Sequence, residues 1–221
     1  MNSHIKDSFI QYGLKGFLKR SIKYLLRKIG IRFDSFFYMT LNINEKEDIK
    51  QFKDTCLPQV KLLCYEDFLL GDKDNFTNSK LNIIKQRLED DSYLPYGILE
   101  NNELIYSCWI SLNKFETLGG VINNNLEHDE GLLLDAYCSP KARGRGLHNS
   151  MNAYRIWQLY RKSKSKAIVV VLTENKPAYK SQIKVGFKTA FTYTVIIIWG
   201  KIFTNFSKKK QNYVNRQTSV L

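Results

Sequence analysis

The chain has 221 residues, of which 43% are hydrophobic and 13% aromatic, enough for one sizeable core and too many for a disordered protein. Lysine and arginine outnumber aspartate and glutamate by 34 to 21, giving a formal net charge of +13. Such a balance favours anionic partners, which include phosphates, nucleic acid and an acidic membrane surface, and it does not choose among them.

The cysteines form no CxxC pair and the histidines are widely scattered, so the sequence predicts no metal site. These residues are Cys56, Cys64, Cys108, Cys138, His4, His128 and His148. We find no pattern of a secretory signal, so we expect a cytoplasmic protein with free thiols. The longest uncharged apolar stretch, residues 189–200, is shorter than the roughly 20 residues that span a bilayer.

Residues 10–29 carry apolar side chains at three- and four-residue spacing, with lysine and arginine on the remaining faces. The pattern predicts a basic amphipathic helix, which we assign to an N-terminal segment of residues 1–32. Two interpretations stay open. The helix lies peripherally on anionic lipid at the inner membrane face, or it packs on its own domain or on a partner subunit.

We expect one domain over residues 33–204 and a basic, disordered tail over residues 205–221. The sequence of the first half of the domain predicts short helices and strands and one clear hairpin. The strands of this hairpin flank the turn residues Asn101 and Asn102. The predicted elements are a strand at 33–43, helices at 45–53 and 79–88, a strand at 60–65, hairpin strands at 96–100 and 104–111, and a loop or interrupted strand at 118–129.

The second half has a more regular order. A strand at 131–138 ends at Ser139-Pro140, a basic turn follows, and residues 147–162 show helical spacing. Next come a strand at 167–172, a helix at 175–186 with Pro177 in its first turn, and one long strand or a hairpin at 189–203.

The turn between the strand and the helix places backbone N–H groups at a helix N-terminus, where the helix dipole favours negative charge. Gly144 and Gly146 allow the main chain to approach phosphates, and Arg143 and Arg145 add charge-assisted hydrogen bonds. The turn lacks the ending of a P-loop and the third glycine of a dinucleotide fingerprint. It therefore predicts a pyrophosphate site of another kind.

This stretch resembles the GNAT family of N-acetyltransferases, whose loop follows the pattern Arg/Gln-x-x-Gly-x-Gly/Ala after the fourth strand. Arg143 and Gly146 match the pattern, and Asn175 and Gly186-Phe187 occupy later family positions. The resemblance covers roughly residues 130–200. His148 stands where the family has glycine or alanine, and it is either a solvent-facing residue of the first helical turn or a catalytic one.

The resemblance implies a mixed α/β fold with a central, mostly antiparallel sheet, flanked by helices and splayed at the fourth and fifth strands. It implies acetyl-CoA as a co-substrate and direct transfer of acetyl to an amine, without a metal or a covalent enzyme intermediate. The implied cofactor-binding residues are Tyr137, Cys138, Arg143, Gly144, Arg145, Gly146, Leu147, His148 and Asn175.

An amine nucleophile must lose a proton, so the reaction needs a base. Asp135 is our first candidate, followed by Glu130 and Glu174, and each is alternatively a solvated or structural carboxylate. The family often protonates the leaving thiolate with a tyrosine where this chain has Gln182. Tyr179, three residues earlier on nearly the same helix face, is either that proton donor or a packing residue.

These features predict an N-acetyltransferase for a small-molecule amine. The basic helix and surface favour an amino sugar as acceptor, as a sugar nucleotide or lipid-linked, and a peptide or protein N-terminus, a polyamine and an antibiotic stay open as alternatives. The alternative is a module of the same fold that has lost catalysis and binds membrane or nucleic acid through its basic termini. Because aromatic and basic residues do not interleave as in a nucleic-acid-binding platform, we expect no nucleic acid partner.

Overall fold

The computed structural model of the chain describes residues 21–43, 59–117 and 122–206. The strands are β1 (Ile31–Asn42), β2 (Lys61–Leu62), β3 (Tyr93–Glu100), β4 (Glu103–Ser111), β5 (Lys114–Thr117), β6 (Ile122–Asn125), β7 (Glu130–Cys138), β8 (Lys166–Leu172), β9 (Lys188–Ile198) and β10 (Lys201–Phe206). The helices are α1 (Tyr65–Leu69), α2 (Asn78–Leu88), α3 (Leu147–Arg161) and α4 (Lys176–Val185); residues 21–28 are also helical, and Pro140–Ala142 form a 3-10 turn.

The main sheet has the strand order β10-β9-β1-β8-β7-β4-β3-β2, and β5 pairs with β6 separately. The pairs β9–β10, β2–β3, β3–β4 and β4–β7 are antiparallel, whereas β7–β8 is parallel. This mixed, mostly antiparallel sheet with flanking helices confirms the predicted fold class.

The chain divides into two compact units. The first unit contains the described parts of Met1–Met39 and Lys188–Leu221 together with Val171–Ile183. The second unit contains the described parts of Thr40–Val170 together with Lys184–Phe187. The predicted division at residues 32 and 204 stays a prediction, since residues 1–20 and 207–221 lie outside the described ranges.

The hairpin predicted in the first half is β3–β4. Asn101 and Asn102 have φ of 50° and 61°, the left-handed conformation that a two-residue hairpin turn needs and that asparagine tolerates. The predicted helix at 79–88 is α2, and the strand predicted at 33–43 is β1. Local sequence signals were sufficient for these elements.

Other predictions need correction. The strand predicted at 60–65 is only two residues long, because the side chain of Asp67 accepts a hydrogen bond from the Cys64 amide at 2.9 Å and starts α1. At 118–129 the sequence predicts a loop or an interrupted strand, and the described residues 122–125 form strand β6, which pairs with β5. Of the two alternatives at 189–203, one long strand or a hairpin, the hairpin is confirmed as β9–β10. The helix predicted at 45–53 and residues 10–20 of the N-terminal helix lie outside the described residues.

The second unit has one core cluster between the sheet and the helices α1 and α2. Its buried members are Leu63, Phe68, Phe76, Ile84, Tyr93, Leu104, Trp109 and Tyr137. Helix α3 packs closely on β7 at Gly131, where a Cβ would lie 2.2 Å from a methyl carbon of Leu159. Only glycine permits this approach, which holds the end of α3 beside the start of β7.

In the first unit, aromatic residues of β1 and β9 stack on one another. Phe36 stacks on Tyr193 and Tyr38 on Phe191, with ring centroids 5.2 and 4.4 Å apart. No helix within the described residues is long and apolar enough to cross a membrane.

Candidate functional site

Strands β7 and β8 pair only at their beginnings. Their register joins Glu130–Leu133 to Lys166–Val169, and no pairing between them follows. Since β7 continues to Cys138, its last five residues have no hydrogen-bonded partner on the β8 side. This opening is the splay that the family resemblance predicts between its fourth and fifth strands, which correspond to β7 and β8.

A β-bulge lies in β7 at the point where the strands separate. Leu134 pairs with Trp109 and Tyr137 with Ser107, so two residues of β7, Asp135 and Ala136, oppose one residue of β4. As a result Leu134 and Tyr137, three residues apart, both pack against the same core cluster. The bulge also turns Asp135 into the left-handed region, with φ of 45°.

The Asp135 carboxylate is held by a buried arginine. Arg87 of α2 donates from Nη1 to Oδ2 of Asp135 and forms a second, bidentate pair with Glu116, at 3.1 Å from Nε and 2.5 Å from Nη2. Arg87 is 6% exposed, whereas the Asp135 side chain is 49% exposed. Asp135 is thus fixed on one side and open to solvent on the other.

The buried end of this network is completed by Tyr93, which donates to Oε2 of Glu116 at 2.9 Å. Burial opposes the charge of Arg87, yet the hydrogen bonds of Glu116 and the charge of Asp135 raise its pKa. Burial and the Glu116 hydrogen bond raise the pKa of Tyr93 well above its ordinary range. The guanidinium therefore stays charged and the phenol stays protonated.

A second buried arginine lies behind the bulge. Arg155 of α3 is 2% exposed and donates from Nη1 to the carbonyl oxygens of Trp109 and Leu134, both at 3.4 Å, and from Nη2 to Asn152. It forms no ion pair with a described carboxylate. Arg155 thus satisfies backbone carbonyls beside the bulge, where the regular ladder is interrupted.

The loop that joins β7 to α3 forms a concave surface. Gly144 and Gly146 have φ of 82° and 76°, and a Cβ at either would meet no atom within 4 Å. In the first turn of α3, the backbone amides of Asn149 and Ser150 donate to the carbonyl oxygen of Gly146. The amides of Leu147 and His148 come before them, and no helical carbonyl lies one turn earlier to accept their hydrogen bonds. A cavity of about 250 Å³ lies here.

The two arginines of the loop, Arg143 and Arg145, differ in their ion pairing. Arg145 forms a bidentate pair with Glu100, at 2.8 and 2.6 Å, which raises its pKa. The side chain of Arg143 lines the cavity and forms no hydrogen bond or ion pair with a described residue. A positive side chain, open amides and the helix dipole fit a pyrophosphate, and Arg143 is the cation available to it.

His148 is not the solvent-facing residue that one interpretation expected. Its Nδ1 lies 2.8 Å from the hydroxyl of the fully buried Tyr106, and its Nε2 is buried without a partner among the described residues. The arrangement that satisfies the hydroxyl has Tyr106 donating to Nδ1, which leaves the proton on Nε2. Burial, with a smaller effect from Arg155, lowers the pKa of His148 to about 4.

Cys138 faces the same cavity, but its thiol is not activated. Burial raises its pKa, although Arg143 and Arg145 act in the opposite direction, and its only described hydrogen bond is to the carbonyl oxygen of Ser139 at 3.7 Å. The thiolate, not the thiol, is nucleophilic, so the side chain of Cys138 is unsuited to covalent catalysis at neutral pH.

A larger cavity of about 450 Å³ lies on the other side of the end of β7. Tyr137 and Ser139 line it, and both hydroxyls are buried without a hydrogen-bond partner among the described residues. Asp72 and the ion-paired Glu103 and Lys141 also contribute to its wall. The cavity offers hydroxyl and carboxylate groups to a polar ligand.

The predicted residues Glu174, Asn175 and Tyr179 belong to the first unit. The side chain of Asn175 accepts from the Ala178 amide at 3.2 Å and so caps the start of α4. The ring of Tyr179 packs on Phe37 at 4.5 Å, and its hydroxyl accepts from Thr189 at 3.3 Å. The structure thus shows packing at Tyr179 without testing the proton-donor interpretation.

The second- and third-choice carboxylates are both in ion pairs. Glu130 is 2% exposed, lies 2.6 Å from Lys166 and accepts from the Glu127 amide. Glu174, in the first unit, lies 2.6 Å from Lys23. Asp135 is also in an ion pair, with Arg87, and differs from Glu130 in that about half of its side chain is exposed.

Sequence reasoning missed Arg87, Glu116, Tyr106 and Arg155. The only local signal was that Arg87 lies three residues after Ile84 on the buried face of α2. An arginine at such a position indicates a buried ionic partner, since charged residues are rarely buried unpaired. The partners themselves, Glu116 and Asp135, are distant in sequence, and no sequence motif indicated them.

No family model and no curated protein matches the sequence. Among solved structures, a putative GNAT-family acetyltransferase from Novosphingobium aromaticivorans matches at 12% identity and a TM-score of 0.51, over 81% of this chain and 69% of that one. A GNAT-family acetyltransferase from Colwellia psychrerythraea matches at 12% identity and 0.51, over 82% and 62%. A glucosamine N-acetyltransferase region of a fungal multi-domain β-N-acetylglucosaminidase matches at 15% identity and 0.50, over 82% and 23%.

This chain spans less than two thirds of the Colwellia protein and less than a quarter of the fungal one. Identities this low concern the arrangement of the backbone. The fold of this chain is that of the GNAT acetyltransferases.

Proposed function

We propose that the protein is an N-acetyltransferase that uses acetyl-CoA as its co-substrate and an amine as acceptor. The observation that carries the proposal is the loop before α3. There, two left-handed glycines, open helical amides and the side chain of Arg143, which has no ion-pair partner among the described residues, follow a splayed strand. This combination suits a pyrophosphate on one side and an extended arm along the free edge of β7 on the other.

In this proposal Arg143 and the amides from Gly144 to His148 hold the pyrophosphate. The main chain at Tyr137 and Cys138 hydrogen-bonds to the pantetheine arm, because this part of β7 has no partner on the β8 side. Arg145 contributes charge while it remains paired with Glu100. Asn175 is an additional contact through the part of its amide that does not cap α4.

When bound, acetyl-CoA supplies an acetyl thioester that is reactive toward amines. The proposed base is Asp135, whose carboxylate takes a proton from the acceptor nitrogen as the new N–C bond forms. The hydroxyl of Tyr179 is the proposed donor of a proton to the sulfur as the C–S bond breaks. Arg87 and Glu116 hold the Asp135 carboxylate in place and are positioning residues.

The proposed acceptor is an amino sugar, as a sugar nucleotide or a lipid-linked sugar. The cavity beside Tyr137 and Ser139 supports this class, because its wall carries the polar side chains of Asp72, Glu103 and Lys141, which can hydrogen-bond to sugar hydroxyls. Its volume of about 450 Å³ lies within the usual range for small-molecule sites. One structural neighbour is described as a glucosamine N-acetyltransferase region, so glucosamine belongs in any acceptor panel.

Binding of acetyl-CoA, followed by calorimetry and thermal unfolding, tests the proposed acetyl-CoA site. At 100 times its dissociation constant a ligand adds about 2.7 kcal/mol to the stability of the folded state. We expect the native chain to be stabilised, and Arg143→Gln and Gly146→Glu to bind more weakly. Release of free coenzyme A against a panel of amino sugars, polyamines and peptides then tests the acceptor. Absence of acetyl-CoA binding by the native chain would favour the alternative, a module of this fold without catalysis.

A further inference from the structure

The helical segment 21–28 of the first unit presents its apolar side outward. Ile22 and Leu25 are 51% and 62% exposed, and Ile29, just after the helix, is 60% exposed. These three residues share one face at helical spacing. An amphipathic helix on the surface of a soluble domain normally turns this face to the core, so here the usual orientation is reversed.

The inward side of the same segment is charged. Lys23 is 8% exposed and lies 3.2 Å from Asp34 and 2.6 Å from Glu174. Arg27 also pairs with Asp34, at 3.3 Å. A buried lysine between two carboxylates fixes the rotation of the helix, because turning the apolar face inward would break both ion pairs.

Trp199 extends the same exposed area. It lies at the tip of the β9–β10 hairpin, is 80% exposed, and donates from its indole nitrogen to the Ile29 carbonyl oxygen at 3.2 Å. Its φ of 46° belongs to the left-handed region, where asparagine or glycine is usual and a bulky residue is strained. Turn formation alone therefore does not account for a tryptophan here.

Basic residues dominate this unit. Among its described residues the only acidic side chains are Asp34 and Glu174, both of which pair with Lys23. The basic side chains are Lys23, Arg27, Lys28, Arg32, Lys176, Lys180, Lys188 and Lys201. Eight basic against two acidic side chains leave the described residues of this unit with an excess of six positive charges.

We propose that Ile22, Leu25, Ile29 and Trp199, together with Tyr24, which is 60% exposed and has Lys28 over its ring, form a docking surface for an anionic membrane. The side chains of this docking surface enter the interface between headgroups and acyl chains, with Lys28 and Lys201 near the headgroups. Exposed tyrosine and tryptophan suit this depth, since each has an apolar body and a polar edge. A second copy of the chain fits less well, because two equally basic surfaces repel one another.

Flotation with vesicles tests the docking surface directly. The full chain is mixed with vesicles of phosphatidylcholine alone, or of phosphatidylcholine and phosphatidylglycerol in equal parts. We expect binding to the anionic vesicles only, weaker at high salt, with a blue shift of Trp199 fluorescence that is absent in Trp199→Phe. Leu25→Ser with Ile29→Ser should reduce partitioning by roughly tenfold or more, since each side chain loses apolar burial in the membrane.

Leu62→Ser is the matched control, because Leu62 is exposed to a similar degree, 58%, but belongs to the second unit. It should bind like the native chain. Lys28→Glu with Lys201→Glu tests the charge separately, and we expect weaker binding with the apolar residues intact. Three results would overturn the proposal: no flotation, equal binding to both vesicle types, or light scattering that shows a dimer abolished by the Leu25 and Ile29 substitutions. Because none of these readouts involves acetyl-CoA, the proposed enzyme activity stands or falls separately.

Discussion

Asp135 differs from the other two carboxylates that the sequence offered as a base. It is half exposed, and a bulge presents it beside the opening between β7 and β8. Glu130 is buried with Lys166 as its partner. We therefore expect Asp135→Asn to lower kcat by about 10²- to 10⁴-fold at nearly unchanged unfolding temperature, as expected on removal of a general base.

Release of free coenzyme A from acetyl-CoA, with the best acceptor of the panel, measures this loss. Glu130→Gln is the comparison, and it should lower stability more than kcat, since it leaves Lys166 without its buried charge. If Asp135→Asn retains native kcat, the base lies elsewhere.

Arg87 is the residue on which the buried network depends. Replacing it with methionine leaves the 7%-exposed Glu116 carboxylate without a counter-charge. Breaking a buried pair from one side typically costs about 3–5 kcal/mol. We expect a loss of that size in urea unfolding, against less than about 1 kcal/mol for Lys114→Met, which removes the more exposed pair with Asp90. Equal losses in the two variants would contradict the network.

The lowered pKa of His148 predicts that the stability of the protein depends on pH. Burial lowers its pKa from 6.5 to about 4, so between these values the unfolded state binds the proton more tightly. The contribution of neutral His148 to the free energy of unfolding is therefore complete above pH 6.5 and is lost as the pH falls toward 4. At pH 5 the free energy of unfolding is lower by about 2 kcal/mol for this reason.

Urea unfolding at pH 7.5 and 5 measures this loss. His148→Ala, which introduces a residue usual at this position in the family, should flatten the dependence over this window, whereas His128→Gln should leave it unchanged. A native slope that survives in His148→Ala would show that other groups produce it.

At the scale of single elements, the close packing of α3 on β7 sets the place of the loop. Gly131→Ala introduces a methyl group 2.2 Å from Leu159, which is fully buried and has little room to move. Overpacking of this kind costs about 1–3 kcal/mol. We expect lower stability and weaker acetyl-CoA binding, because α3 moves as one rigid helix and a shift of its end at Leu159 also displaces its start at the loop.

Thermal unfolding with and without acetyl-CoA checks both effects, and Gly131→Ala combined with Leu159→Ala should recover part of the binding. Gly144→Ala serves for comparison, since its penalty comes from the left-handed backbone and not from a clash. Unchanged affinity in Gly131→Ala would mean that the contact with β7 does not position the loop.

Periodicity and turn chemistry located the elements around the loop because those signals are local. Each of these signals extends over no more than about 15 consecutive residues. They are the apolar run of β7, the helical spacing of apolar residues in α3 and the asparagine turn of the β3–β4 hairpin. The ionic network was not accessible in the same way, since Arg87 meets Glu116 and Asp135 across 29 and 48 residues. The bulge also escaped prediction, because no glycine marks it and Asp135 adopts the left-handed conformation in its place.

At the scale of the whole molecule, the charge of +13 acts beyond any single contact. Coenzyme A is a polyanion, and a strongly basic protein attracts it over distances comparable to the Debye length, about 10 Å at 0.1 M salt. Long-range attraction of this kind raises the association rate, whereas the dissociation rate depends on short-range contacts such as that proposed for Arg143.

Stopped-flow kinetics of acetyl-CoA binding separates these two contributions. We expect the association rate constant to fall by roughly tenfold between low and high salt, with little change in the dissociation rate constant. Replacing Lys208, Lys209 and Lys210 with glutamate removes two formal charges per site without altering the loop. This variant should associate more slowly at low salt and match the native chain at high salt, whereas Arg143→Gln should dissociate faster at every salt concentration. If the lysine variant also dissociates faster, the basic tail itself contacts the ligand and the charge does not act at long range.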